Sequence, residues 1–185
     1  MTKKAVFFQL FGLAGMANPL IADAHAWHFT SEVNGFFAGM LHPLTGSDHI
    51  IAMLVVGFWI ARASRRSLMM LPLLVVAMMI IGGALTLIPI EIAHAENIMI
   101  LSAGLLGLML LFNAKVSPLI AALVAGNLAL IHGYVHAFDI WLDSDAIEYA
   151  LGFALSTLMV IAVAIGMSKV LENYAPELDG PVNSR

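Results

Sequence analysis

The chain has 185 residues, of which 61% are hydrophobic and 11% are charged. An average soluble domain is about half apolar and about a quarter charged, so this composition argues against a soluble domain and predicts a multi-pass membrane protein. At about 20 residues per span, the length suits one domain of about five to seven spans. The absence of cysteine excludes disulfide bonds and thiolate metal sites, and the net charge of −4 does not point to nucleic acid as a partner.

Residues 1–24 have the pattern of an export signal. Lys3 and Lys4 precede an apolar stretch at residues 5–16, and small-residue cleavage candidates follow it. We expect cleavage to leave a mature chain that begins near His25, outside the cytoplasm. The alternative is an uncleaved first transmembrane helix.

Five apolar segments follow, at residues 33–61, 68–88, 98–112, 119–135 and 147–167. The first is interrupted by His42-Pro43 and by Gly46, and its part before His42 is too short to cross a hydrocarbon core of about 30 Å. We interpret this segment as one broken crossing, or as a re-entrant half-helix followed by a full span. The predicted fold class is therefore all-α, a polytopic helical membrane protein with a broken first helix.

Charged residues between the spans predict the orientation of the chain. Basic residues mark three connections or ends as cytoplasmic: Arg62, Arg65 and Arg66, then Lys115, then Lys169. Acidic residues mark the two loops between them: Glu91 and Glu96, then Asp139, Asp143, Asp145 and Glu148. This alternation predicts an extracytoplasmic mature N-terminus and a cytoplasmic C-terminus. The transmembrane domain is expected at residues 25–171, followed by a polar tail at 172–185.

The first chemical motif lies inside the broken segment and contains His42, Asp48 and His49. Ionisable side chains at membrane depth are costly unless they are paired or have a task, so their presence there suggests a function. A plainer interpretation treats Ser47 or Asp48 as the N-cap of a helix that continues from Ile50.

The second motif contains His132, His136 and Asp139, which stand at i, i+4 and i+7 and so share one stripe of a helix. Two imidazoles one turn apart can bind one ion, and Asp139 can be a third ligand or can orient a ligand. The alternative is that these histidines cap a helix end at the membrane interface. The two motifs together offer a nitrogen and oxygen ligand set suited to a divalent transition metal: His42, Asp48, His49, His132, His136 and Asp139.

These motifs resemble the signatures of the HupE/UreJ family of nickel or cobalt permeases. His42-x5-Asp48-His49, followed by Ala52-Met53 and Val56-Gly57, is similar to the first signature. Residues 131–139 are similar to the second, Phe-His-Gly-x-Ala/Val-His-Gly-x-Glu, with isoleucine, alanine and aspartate in place of the phenylalanine, the second glycine and the glutamate. The resemblance covers essentially the whole mature chain, and it implies a cleavable signal and a handful of spans.

We therefore expect a secondary transporter that takes up Ni²⁺, or else Co²⁺, across the bacterial inner membrane. The ion is the transported substrate and the bilayer is the other partner; no prosthetic group is expected, and no nucleotide-binding motif is present. The alternative function is a membrane-embedded zinc-dependent hydrolase that uses the same histidines with Ser47 and Asp48. A metal-responsive sensor or accessory subunit is a third class. Haem binding is disfavoured, because haem usually takes axial ligands from facing helices.

Overall fold

The computed structural model of the chain describes residues 35–62, 64–89, 91–112, 117–137 and 146–178. The predicted export signal lies outside these residues. The described part contains six α-helices and no strand, which agrees with the all-α prediction. The helices are α1 (Gly35–Thr45), α2 (Ser47–Ile60), α3 (Arg65–Leu85), α4 (Ala95–Leu111), α5 (Pro118–Ala137) and α6 (Ala146–Leu178).

The first apolar segment is broken, as predicted. The break lies at Gly46, the second of the two predicted interruptions, and not at His42-Pro43. Helix α1 continues through Pro43 to Thr45, and α2 is bent from it by 75°. Pro43 has no N–H to donate to the carbonyl of Gly39 one turn earlier, and α1 ends two residues after it, at Thr45. The backbone of Gly46 is extended and forms the N-cap of α2, so the interpretation of Ser47 or Asp48 as the N-cap is wrong.

Three helical segments are long and apolar enough to cross a membrane: Ser67–Leu85, Leu119–Ala137 and Ala146–Asn173. The bent pair α1–α2 supplies a fourth span if it crosses once, and α4 is a shorter apolar helix of 17 residues. Large apolar side chains lie on the outside of the bundle, including Leu101 and Ile147, which are 72% and 79% exposed. Such a surface suits lipid rather than water, and the chain is a multi-pass membrane protein.

Two pairs of helices approach each other closely through reciprocal glycines. A Cβ placed on Gly133 of α5 would overlap the backbone of Met79 on α3, and one placed on Gly82 of α3 would overlap the carbonyl of Leu130. Gly39 of α1 and Gly152 of α6 stand against each other's helix in the same way. A helix can lie this close to the backbone of its neighbour only where it has no side chain of its own, so the glycines determine how α3 packs on α5 and α1 packs on α6.

Polar contacts join the helix ends at both sides of the bundle. Tyr134 of α5 accepts a hydrogen bond from the backbone N–H of Ile92, at 3.1 Å, which ties the loop before α4 to the second histidine motif. At the opposite side, Arg62 donates to the carbonyl of Leu110 at 3.3 Å. Partial burial lowers the pKa of Arg62, while the nearby carboxylate of Glu172 raises it. A guanidinium stays charged at neutral pH in any case, so Arg62 keeps a positive charge at this side.

Candidate metal centre

Four histidines from three helices meet at one point of the bundle. His42 comes from the last turn of α1, and His49 is the third residue of α2, directly beyond the break at Gly46. His132 and His136 lie one turn apart near the end of α5. The break therefore brings the first motif against the second, and the close approach at Gly133 fixes the height of α5.

The four imidazoles are in mutual contact. His132 Nε2 and His49 Nδ1 share a hydrogen bond of 2.7 Å, and His42 Nε2 lies 3.4 Å from His136 Nδ1. The ring centroids of His132 and His136 are 4.6 Å apart. One nitrogen from each of His49, His132 and His136 lies within 4.8 Å of the other two, which makes these three a candidate ligand set.

The separation of these nitrogens is close to what a bound ion requires. With metal–nitrogen bonds of about 2.0–2.1 Å, two ligand nitrogens on one ion lie no more than about 4.2 Å apart. For a tetrahedral ion this separation is about 3.4 Å, so a pair at the 4.8 Å limit of the set must close by about 1.4 Å, and the hydrogen bond between His132 and His49 must open.

The site is buried. His49 is fully buried, His132 and His136 are almost so, and His42 is half-buried at the edge of the group. Among the described residues, Nε2 of His49 has no hydrogen-bond partner. A buried polar atom without a partner costs free energy, so this nitrogen is better explained by a ligand than by packing.

Two aromatic side chains of α6 close one side of the site, and the sequence analysis did not identify them. The ring of Phe153 lies 5.0 Å from that of His49 and 5.7 Å from that of His42, measured between centroids. Tyr149, one turn earlier, lies 6.0 Å from His42. The sequence signal was present, since Tyr149 and Phe153 are aromatic residues at i and i+4, and Gly152 lies between them.

The two predicted carboxylate ligands are not placed by the structure. The backbone of Asp48 lies in the first turn of α2 beside His49, but its side chain is outside the described part of the chain. Asp139 lies wholly outside it. The structure therefore brings together four of the six predicted ligands, all of them histidines. His94 is exposed at the start of α4 and lies outside the histidine cluster.

The site lies closer to one face of the bundle than to its centre. His136 is the residue before the end of α5, and Tyr149 is in the first turn of α6. Three exposed acidic residues lie at this face: Glu91 and Glu96, on either side of the start of α4, and Glu148, in the first turn of α6. An ion bound here is within about two helical turns of a negatively charged surface.

Known proteins match this chain over most of its length. The profile of the family described as HupE / UreJ protein matches residues 13–181. The chain belongs to the HupE/UreJ family. One relative, Protein HupE of Rhizobium leguminosarum bv. viciae, is 35% identical over 158 residues, which are 85% of this chain and 81% of the relative. No solved structure matches this HupE/UreJ chain. The resemblance drawn from the two histidine motifs is thus confirmed.

Proposed function

We propose that this protein carries Ni²⁺, or else Co²⁺, across the bacterial inner membrane into the cell. The observation that supports it most is the buried set His49, His132 and His136, with His42 at its edge. Neutral imidazole is a preferred ligand of divalent nickel, cobalt, copper and zinc, and membership of the HupE/UreJ family favours nickel or cobalt among them.

The energetics explain why such a site is needed. A hydrated divalent cation cannot enter hydrocarbon, so protein ligands must replace part of its water shell. The imidazoles supply ligands without charge, and Asp48, with Asp139, is the proposed source of compensating negative charge. A membrane potential of 100 mV contributes about 2.3 kcal/mol per charge, or about twice that for a divalent ion moving inward. Uptake driven by the potential, or by exchange with protons, therefore needs no ATP.

The test is uptake of radioactive Ni²⁺ and Co²⁺ by the purified full chain in proteoliposomes, with an imposed potential that is negative inside. We expect uptake by the wild type and its loss on collapse of the potential or of a proton gradient. His132→Ala should lower Ni²⁺ affinity by at least about 100-fold, because one ligand is lost. His132→Gln should do the same while keeping a polar side chain of similar size.

The matched control is His94→Asn. His94 is exposed, lies outside the histidine cluster and has a left-handed backbone with φ of 59°, which asparagine tolerates. This variant should transport as the wild type does. Wild-type uptake by both His132 variants at equal abundance would contradict the ligand assignment, and absence of Ni²⁺ and Co²⁺ uptake by the wild type would contradict the transport function.

A zinc-dependent hydrolase is the second candidate, because three histidines with one open position also form the ligand set of some catalytic zinc sites. The two functions differ in what happens to the metal. A hydrolase retains zinc through purification and dialysis and needs no gradient, whereas a carrier exchanges its ion on each cycle. Metal analysis of the dialysed protein, together with the uptake assay, separates them.

A further inference from the structure

The interface between α2 and α6 has a register that two contacts fix. At one end, the rings of His49 and Phe153 are 5.0 Å apart. At the other end, Gly57 lies against the side chain of Ala164 and the backbone of Ile161, so closely that a Cβ on Gly57 would overlap both. Gly57 follows His49 by eight residues and Ile161 follows Phe153 by eight residues, so the two helices run in the same direction with matched turns.

The turn midway between these contacts places Met53 of α2 opposite Thr157 of α6, since each lies four residues from both contacts. Both residues are completely buried. One helical turn rises about 5.4 Å, so this position lies about one turn beyond the histidine cluster, on the side towards Arg62. Thr157 is 11 residues from Ala146, the first residue of α6. That distance, about 16 Å, places it near the middle of a hydrocarbon core of about 30 Å.

The hydroxyl of Thr157 has no hydrogen-bond partner among the described residues. Threonine in a helix ordinarily donates to the carbonyl one turn earlier, which here is that of Phe153. The hydroxyl of Ser156 takes that carbonyl instead, at 3.3 Å. A buried hydroxyl without a partner is unfavourable, and in the centre of a membrane protein no surface water compensates for it.

We propose that Thr157 is a second binding position for the transported divalent cation, occupied after the ion leaves the histidines on its way towards the Arg62 side. Thr157 Oγ1 contacts the ion or a water molecule that the ion retains, and the thioether of Met53 forms the facing wall. Met53 is suited to this, because its side chain is unbranched, polarizable and able to change rotamer as an ion passes. This inference rests on the proposed transport function and adds a step to it.

The test compares Thr157→Val with Thr157→Ser in the full-length protein. Valine keeps the shape of threonine and removes the hydroxyl, while serine keeps the hydroxyl. We expect Thr157→Val to lower the maximal rate of Ni²⁺ uptake into proteoliposomes by about tenfold or more, because the ion loses an oxygen contact at the centre of the membrane. Thr157→Ser should restore most of the rate.

Two further measurements separate this role from a structural one. Thr157→Val should melt at the wild-type temperature or above it, because it removes an unpaired buried hydroxyl. Ser156→Ala is the matched control, since it deletes an equally buried neighbouring hydroxyl that is bonded within its own helix, and it should transport normally.

Wild-type uptake by Thr157→Val, or a lower melting temperature that accounts for its loss of rate, would overturn the proposal for Thr157 alone. Absence of uptake by the wild type would overturn the transport function, and the second binding position with it. Uptake by the wild-type protein therefore distinguishes failure of the Thr157 proposal from failure of the transport function.

Discussion

At the contact between His132 and His49, a proton and a metal ion compete for the same ring-nitrogen lone pairs. In the structure the two rings share one hydrogen bond, so one nitrogen of the pair carries a hydrogen and the other accepts it. A bound ion needs the lone pairs of both rings, and each imidazole must be neutral to donate one. Metal binding is therefore linked to the protonation of several rings at once.

This linkage predicts a steep pH dependence of Ni²⁺ binding. An imidazole that carries an extra proton has no lone pair for the ion, so protons compete with the ion as the pH falls. Because at least three rings must be neutral to bind one ion, we expect the affinity to fall by more than tenfold per pH unit once protons compete.

Titration of purified protein with Ni²⁺ at several pH values measures this slope. His94→Asn should give the wild-type slope, because His94 is exposed and outside the cluster. A slope of tenfold per unit or less would mean that a single histidine binds the ion, and a pH-independent affinity would exclude an imidazole site.

Helix packing sets the height at which the two histidine motifs meet. Gly133, beside His132, allows α5 to lie directly on the backbone of Met79 in α3. We expect Gly133→Ala to force these helices apart, lowering stability by about 1–3 kcal/mol and weakening Ni²⁺ binding, because the added methyl has no space. Thermal unfolding in detergent and Ni²⁺ titration of the same sample measure both effects.

Gly104 provides the matched control for Gly133. A Cβ at Gly104 of α4 meets no atom within 4 Å, so Gly104→Ala should be neutral or stabilise the helix by up to about 1 kcal/mol. If both alanine variants behaved alike, the close approach of α3 and α5 would not be what positions His132.

The elements that the sequence predicted well are those with a strong local signal. Helices α3 to α6 each overlap one predicted apolar segment, because long apolar runs bounded by charged or helix-breaking residues define spans. Each helix begins one to three residues before its segment, and α6 continues to Leu178, beyond the predicted end at residue 167. The break in the first segment was also predicted, and of its two predicted interruptions only Gly46 is the break. A proline inside an apolar run can end a helix or be accommodated within it, and only the three-dimensional packing of α1 shows which case applies.

The site was predicted in part for a related reason. His132 and His136 follow helical periodicity, so their shared face was evident from the sequence. His42 and His49 meet them only because α1 and α2 bend at Gly46, and no local pattern gives an angle of 75°. Phe153, Tyr149 and Thr157 were missed because apolar and hydroxyl residues are ordinary in membrane helices. Their importance appears only when their neighbours are known.

For the whole molecule, the distribution of charge and of exposed surface follows from a single orientation in the bilayer. The helix ends near the metal centre adjoin the acidic segments, and the opposite ends carry Arg62 and Lys169. Lys169 forms an ion pair with Glu172 at 3.1 Å. Because both side chains are exposed, this ion pair adds little to the stability of the protein. Basic residues are retained on the cytoplasmic side of membrane proteins, so we propose that the metal centre lies towards the outside.

The absence of cysteine makes this orientation directly testable with single-cysteine variants. Ala93→Cys lies between α3 and α4 on the acidic side, and Asn173→Cys lies near the end of α6 on the basic side; both positions are exposed. In intact spheroplasts, a membrane-impermeant maleimide should label Ala93→Cys at once and should label Asn173→Cys only after the membrane is permeabilised. The cysteine-free wild type is the control for background labelling. The reverse labelling pattern would place the histidine cluster on the cytoplasmic side, which would favour export of the ion over uptake.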